Sequence, residues 1–208
     1  TEPLLPLPLA PGRETTFLLR YSSRMTGYGA PEVLAPTLET AAGFTRSERQ
    51  TQYAQGIYAG LMGAMLLYNL FLYAGVRDRS YLWYALYVTT FALVWIGRAG
   101  HAFEYLWPRA PSWERTSSFF LIVLAVTFGL AFTRSFLDTR RVAPRADAYL
   151  RVVIAATAGS AASGLLGFWT FAQNSLAVLG LLSSVSLVPI AFLVWRRGYP
   201  PARYFLLA

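Results

Sequence analysis

Between Tyr53 and Val76 the chain runs for 24 residues without one charged side chain. A helix of that length rises about 36 Å, enough to cross a hydrocarbon layer of about 30 Å. Similar runs follow at Tyr81 to Gly97, slightly short, then at Ser117 to Phe136, Val152 to Ala172 and Ser175 to Trp195, and Ala202 to Ala208 begins another. Backbone groups in lipid must find their partners within the segment, so these runs are predicted as helices rather than strands. The fold class is therefore an all-α polytopic membrane helix bundle with five full spans and the start of a sixth. Composition agrees: charged residues make up 13% of the chain, against about 25% in a soluble domain.

Residues 1–50 differ in character. They hold six of the twelve prolines, with five arginines balanced by five glutamates. Thr15 to Tyr21 reads as a strand between Pro11-Gly12 and Ser22-Ser23, and a second short strand is expected near Glu32 to Leu34. Two strands cannot build a core of their own. This segment is read as the C-terminal remnant of an extramembrane β domain with a juxtamembrane linker, and residues 51–208 as the membrane region. The chain opens on Thr1 with no basic leader and breaks off two turns into its last apolar run, so it is expected to be part of a longer protein.

The loops set the orientation. With the N-terminus outside, Arg77, Arg79, Arg134, Arg140, Arg141, Arg145, Arg151, Arg196, Arg197 and Arg203 fall at the inner ends, against Arg46, Arg49, Arg98, Arg109 and Arg115 outside. Ten against five favours this arrangement under the positive-inside rule. Arg134 is expected to snorkel from the end of its span. Arg77 to Ser80 then forms a tight inner turn. Around it Tyr73, Tyr81, Trp83 and Tyr84 sit at headgroup level, while Tyr68, Asn69 and Tyr87 lie deeper. The deeper groups are expected to find hydrogen-bond partners between the first two helices.

Gly56, Gly60 and Ala64 line one face of the first span, and Gly159, Ser160, Ser163, Gly164 and Gly167 repeat the idea in the fourth. These are packing faces, and a homodimer is one assembly they permit. Pro189 is expected to kink or hinge the fifth span.

Chemistry is constrained mainly by what is missing. The sequence has no cysteine, no lysine and one histidine, His101. Thiolate metal sites, bis-histidine haem and a retinal Schiff base are thereby excluded, so no metal and no cofactor are expected. Ala161-Ala162-Ser163-Gly164 invites comparison with an intramembrane serine protease, but no base accompanies the serine within a span. No Asp, Glu, Lys or His sits at mid-span, which argues against an ion or proton transporter. The arginines lie between apolar runs rather than on a polar surface, so nucleic acid is not an expected partner. His101 to Pro108 reads as an outer loop across which Arg98 and Glu104 can pair. It is expected to be an interfacial loop anchored by Trp107 and Trp113, the alternative being a lid that contacts a ligand or the extramembrane domain. No catalytic residue emerges, and ligand-binding residues remain unknown.

One ordered series of residues resembles a known family. Gly56 to Asn69, Leu72-Tyr73, Arg77 to Tyr84, Gly100, Phe103 to Pro108 and Phe136-Leu137-Asp138-Thr139-Arg140 together look like the bacterial seven-transmembrane receptors with diverse intracellular signalling modules. The resemblance covers about residues 53–208, and residues 1–50 are similar to the end of the β-sandwich sensor domain that such receptors carry outside. It implies seven helices and a multi-pass protein of the bacterial inner membrane with its N-terminus in the periplasm. It also implies partners: a small periplasmic ligand, carbohydrate among the candidates, and a cytoplasmic output module of histidine kinase or diguanylate cyclase type. The region itself is expected not to be an enzyme. The chain departs from the family pattern in lacking most of the outer domain and in stopping early in the sixth helix. The alternative reading is a membrane transport or assembly component without signalling output.

Overall fold

The structure is a computed structural model that describes Thr16, residues 40–98 and residues 111–207. Apart from Thr16, the strands expected at Thr15 to Tyr21 and Glu32 to Leu34 lie outside the described residues, as do the His101 to Pro108 loop and the Glu104 partner expected for Arg98. Among the described residues there are helices and turns and no strand. The described residues form seven helices in order: α1 (Ala41–Val76), α2 (Arg79–Arg98), α3 (Pro111–Phe136), α4 (Thr139–Val142), α5 (Pro144–Leu165), α6 (Trp169–Arg196) and α7 (Ala202–Leu207). Five of them, α1, α2, α3, α5 and α6, are long and apolar enough to cross a membrane.

Helix α1 begins well before the apolar run. Thr40 caps it, its hydroxyl accepting the Gly43 N–H at 3.1 Å, and 36 residues follow without interruption. At 1.5 Å per residue this is a rod of about 54 Å, so its first three turns, with Arg46, Glu48 and Arg49 exposed, project beyond the hydrocarbon or force a tilt. The rod stops at Arg77, which takes the left-handed conformation at φ 60° and returns its N–H to the Tyr73 carbonyl at 2.9 Å. Asp78 then starts α2 by accepting the Ser80 N–H at 2.8 Å, the side-chain capping that short acidic residues do well.

The junction after α5 differs from its expected place. The helix ends at Leu165, not near Ala172. Gly167 at φ 91° allows the chain to turn there, with Gly167 N–H bonded to the Gly164 carbonyl and Phe168 N–H to the Ser163 carbonyl. Glycine has no Cβ to oppose that conformation, and hydropathy alone cannot see it because Phe168 to Ala172 is as apolar as a span. Helix α6 therefore starts at Trp169 and runs through Pro189 without a break.

Two apolar clusters hold α3, α5 and α6 together. Phe119, Val123, Ala172 and Leu176 form one, with Trp169 packed against it. Leu130, Leu137, Leu150, Ala191 and Val194 are at the heart of the other, which also takes Ala202 of α7. Helix α2 joins through α3, where Trp83 meets Phe128 and Tyr84 meets Phe132, with ring centroids 6.0 and 5.2 Å apart. The approach is close at Gly129, where an added Cβ would lie 3.3 Å from the Tyr87 ring.

Helix α1 packs mainly on α2, and most of its surface is open. The expected glycine face is not used inside this bundle: nothing lies within 4 Å of where a Cβ would stand at Gly56, Gly60 or Gly63. Of the second small-residue face, Gly164 packs on Phe119 and Trp169, whereas Gly159 is open. The expected hydrogen bonds from Tyr68 and Asn69 to α2 are also absent. Tyr68 is 63% exposed, and Asn69 donates to the Met65 carbonyl of its own helix at 2.7 Å. An amide one turn from a carbonyl meets its need locally.

Candidate functional site

A set of polar contacts between elements converges at one end of the bundle, where α1 turns into α2 and where α3, α4, α5 and the α6–α7 turn meet. At its centre is Asp147, in the first turn of α5, with its side chain 3% exposed. Three donors reach it. Arg134, near the end of α3, donates its Nε–H to Oδ1 at 2.9 Å. Thr139, the first residue of α4, donates its hydroxyl to the same oxygen at 3.1 Å. Arg151 approaches Oδ2 at 3.0 Å from one turn further along α5. The amide dipoles at the start of α5 add to this stabilisation of the carboxylate.

Arg134 therefore does not simply snorkel to water. Its side chain is only 28% exposed and ties α3 to α5. The local chain path explains how this comes about. Asp138 turns the backbone at φ 42°, after Leu137, which is fully buried and anchors the corner. Thr139 follows with no exposed surface and points into the clasp.

Further bonds stitch neighbouring elements to this centre. Arg197 donates from Nη1 to the Val142 carbonyl at 2.6 Å, and the Tyr199 hydroxyl donates to the Phe136 carbonyl at 3.3 Å. Burial, with smaller contributions from the carboxylates of Asp138 and Asp78, raises the Tyr199 phenol above its ordinary pKa of 10, so it remains a donor at neutral pH. On the other side, the Ser80 hydroxyl donates to the Ser135 hydroxyl at 3.0 Å. That bond couples the start of α2 to α3 one residue from Arg134. A recess of about 210 Å³ lies beneath the α1–α2 turn, lined by Asn69, Asp78, Ser80, Tyr84, Phe132 and Phe136 among others.

The sequence-derived turn at Arg77 to Ser80 is thus part of this end, while the clasp itself was missed. Its signals were the Asp147–Arg151 spacing of one helical turn and an arginine inside the last turn of a span. Ser163, compared above with a protease nucleophile, donates its hydroxyl to the Ser160 carbonyl at 2.8 Å. No group of three or more metal-ligating side chains occurs among the described residues.

The arrangement joins a long rod, a capped turn and a buried ion-pair clasp. A family model described as 7TM diverse intracellular signalling matches residues 51–208, about three quarters of the chain. No curated protein and no solved structure matches. The chain belongs to this seven-transmembrane family with diverse intracellular signalling, and its 51–208 region is the membrane-embedded part of a multi-pass signalling protein.

Proposed function

We propose that this region relays ligand sensing by a periplasmic domain to a cytoplasmic output module of histidine kinase or diguanylate cyclase type, in a bacterial inner membrane with the N-terminus outside. The family match carries the reading. Two features suit a relay. Helix α1 is continuous from Ala41 to Val76, so displacement or rotation at its projecting end reaches the Arg77 turn without a flexible joint. The turn in turn touches α3 through Ser80 and Ser135, next to the Arg134–Asp147 pair. A ligand can bias such a bundle only by its different affinity for two arrangements, and a clasp of discrete ion pairs is an element with two distinct states, closed and open. The region itself carries no reaction; catalysis belongs to the output module.

The test uses the complete protein in native membranes, with phosphotransfer and cyclic-dinucleotide synthesis as readouts. Arg134→Gln, expressed and inserted at the wild-type level, is expected to change basal output at least severalfold. Absence of both activities, together with accumulation of a solute by vesicles, would overturn the reading in favour of transport.

A further inference from the structure

The end that carries the clasp has far more positive charge than the clasp consumes. Ten arginines stand against three aspartates there. Each aspartate is already engaged: Asp78 caps α2, Asp147 holds Arg134 and Arg151, and Asp138 lies 3.9 Å from Arg141. Arg140 and Arg145 are exposed and have no carboxylate within ion-pair distance among the described residues. The Arg197–Val142 bond brings the α6–α7 turn alongside, adding Arg197 to the same surface.

The surface below these arginines changes in the order a lipid molecule does. Arg145, Ala148, Tyr149 and Val152 follow one another on a single exposed face of α5, at positions i, i+3, i+4 and i+7. Tyr149 is 38% and Val152 67% exposed. From Arg145 to Val152 the helix descends about 10 Å, enough to pass from a headgroup layer roughly 5–8 Å thick into the hydrocarbon. Charge stands at the top, an amphipathic ring in the middle and a branched apolar side chain below.

We propose that this face, formed by α4 and the first two turns of α5, is a binding site for the headgroup of an anionic phospholipid. The phosphodiester is held by Arg140 and Arg145, Tyr149 lies against the glycerol region, and the acyl chain follows Val152. Guanidinium groups suit the role, because they pair with phosphate through two parallel hydrogen bonds and remain charged at any physiological pH. A zwitterionic lipid offers the same phosphate but carries its own cation beside it, so the site discriminates by net charge. The inference rests on charge and surface alone and stands whether or not the region signals.

The experiment is native mass spectrometry of the detergent-purified protein with dioleoylphosphatidylglycerol or dioleoylphosphatidylcholine added at equal concentration. Preferential retention of phosphatidylglycerol is expected. An exposed arginine near anionic lipid contributes about fivefold, so the double variant Arg140→Gln with Arg145→Gln loses roughly thirtyfold in affinity. The lysine pair at the same positions retains most of it, and Arg46→Gln with Arg49→Gln, at the projecting end of α1, changes nothing. Should the glutamine pair not fold, the salt dependence of the unaltered protein decides: retention must fall steeply as salt rises. Equal retention of the two lipids, insensitivity to salt, or an equal loss in the α1 control pair overturns the proposal.

Discussion

Replacing Asp147 by alanine should be among the most damaging single changes available outside the apolar clusters. Three donors lose their acceptor at once. Removing one partner of a buried ion pair costs about 3–5 kcal/mol where the other charge is left stranded. The two arginines are not equally stranded. Arg151 has 62% of its side-chain surface in contact with solvent and recovers its hydration by turning outward, so its share is below about 1 kcal/mol. Arg134, at 28% exposed, recovers only part. Thr139 has no exposed surface but keeps a longer contact to the Arg134 carbonyl at 3.4 Å, which limits its loss to about 1 kcal/mol. The expected cost of Asp147→Ala is thus about 3 kcal/mol, and that of Arg151→Gln is below about 1 kcal/mol. Unfolding by sodium dodecyl sulfate in mixed micelles, followed by tryptophan fluorescence and circular dichroism, measures both. The reasoning fails if Asp147→Ala costs less than about 1 kcal/mol, or if Arg151→Gln matches it. A cycle with Arg134→Ala and the double variant isolates the coupling: the double variant should cost less than the sum of the two single ones.

Four further outcomes follow from the same geometry. Ser80→Ala removes one hydroxyl–hydroxyl bond to Ser135 and should cost about 1 kcal/mol in the same unfolding assay. Gly129→Leu must displace the Tyr87 ring, 3.3 Å from the new Cβ, and should cost about 1–3 kcal/mol. Gly60→Leu meets nothing within 4 Å and should leave bundle stability within about 0.5 kcal/mol. Tyr199 has its folded pKa raised, chiefly by burial and then by Asp138 and Asp78. Its contribution is therefore complete below the unfolded value and disappears as pH rises through the higher folded one. A titration difference spectrum between the wild type and Tyr199→Phe should show a midpoint above about 10.

How far the sequence reveals this molecule depends on which force sets each feature. Transfer into lipid is governed by hydropathy summed over some twenty residues, so all five membrane-crossing helices were legible. The α1–α2 turn was legible too, because Arg77 to Ser80 interrupts two apolar runs. Helix ends were less so. The α5–α6 corner depends on the conformation of Gly167 alone, and α1 extends into a polar stretch where hydropathy is silent and only the Thr40 cap marks the start. The clasp was hidden for another reason. An aspartate among loop arginines looks solvated, and its burial follows from the tertiary route that Leu137 and Asp138 impose. Asn69 erred in the opposite direction: a local carbonyl satisfied an amide for which an interhelical partner had been expected.

A relay from α1 to the clasp requires the projecting end of α1 and the arginine-rich end to lie on opposite sides of the membrane. The absence of cysteine from the sequence makes this direct to measure with single introduced thiols and a membrane-impermeant maleimide. Gln50→Cys and Arg140→Cys are both at exposed positions. Labelling of Gln50→Cys in intact cells, with Arg140→Cys reacting only after permeabilisation, is the predicted result. Labelling of both in intact cells, or the reverse order, would contradict the account.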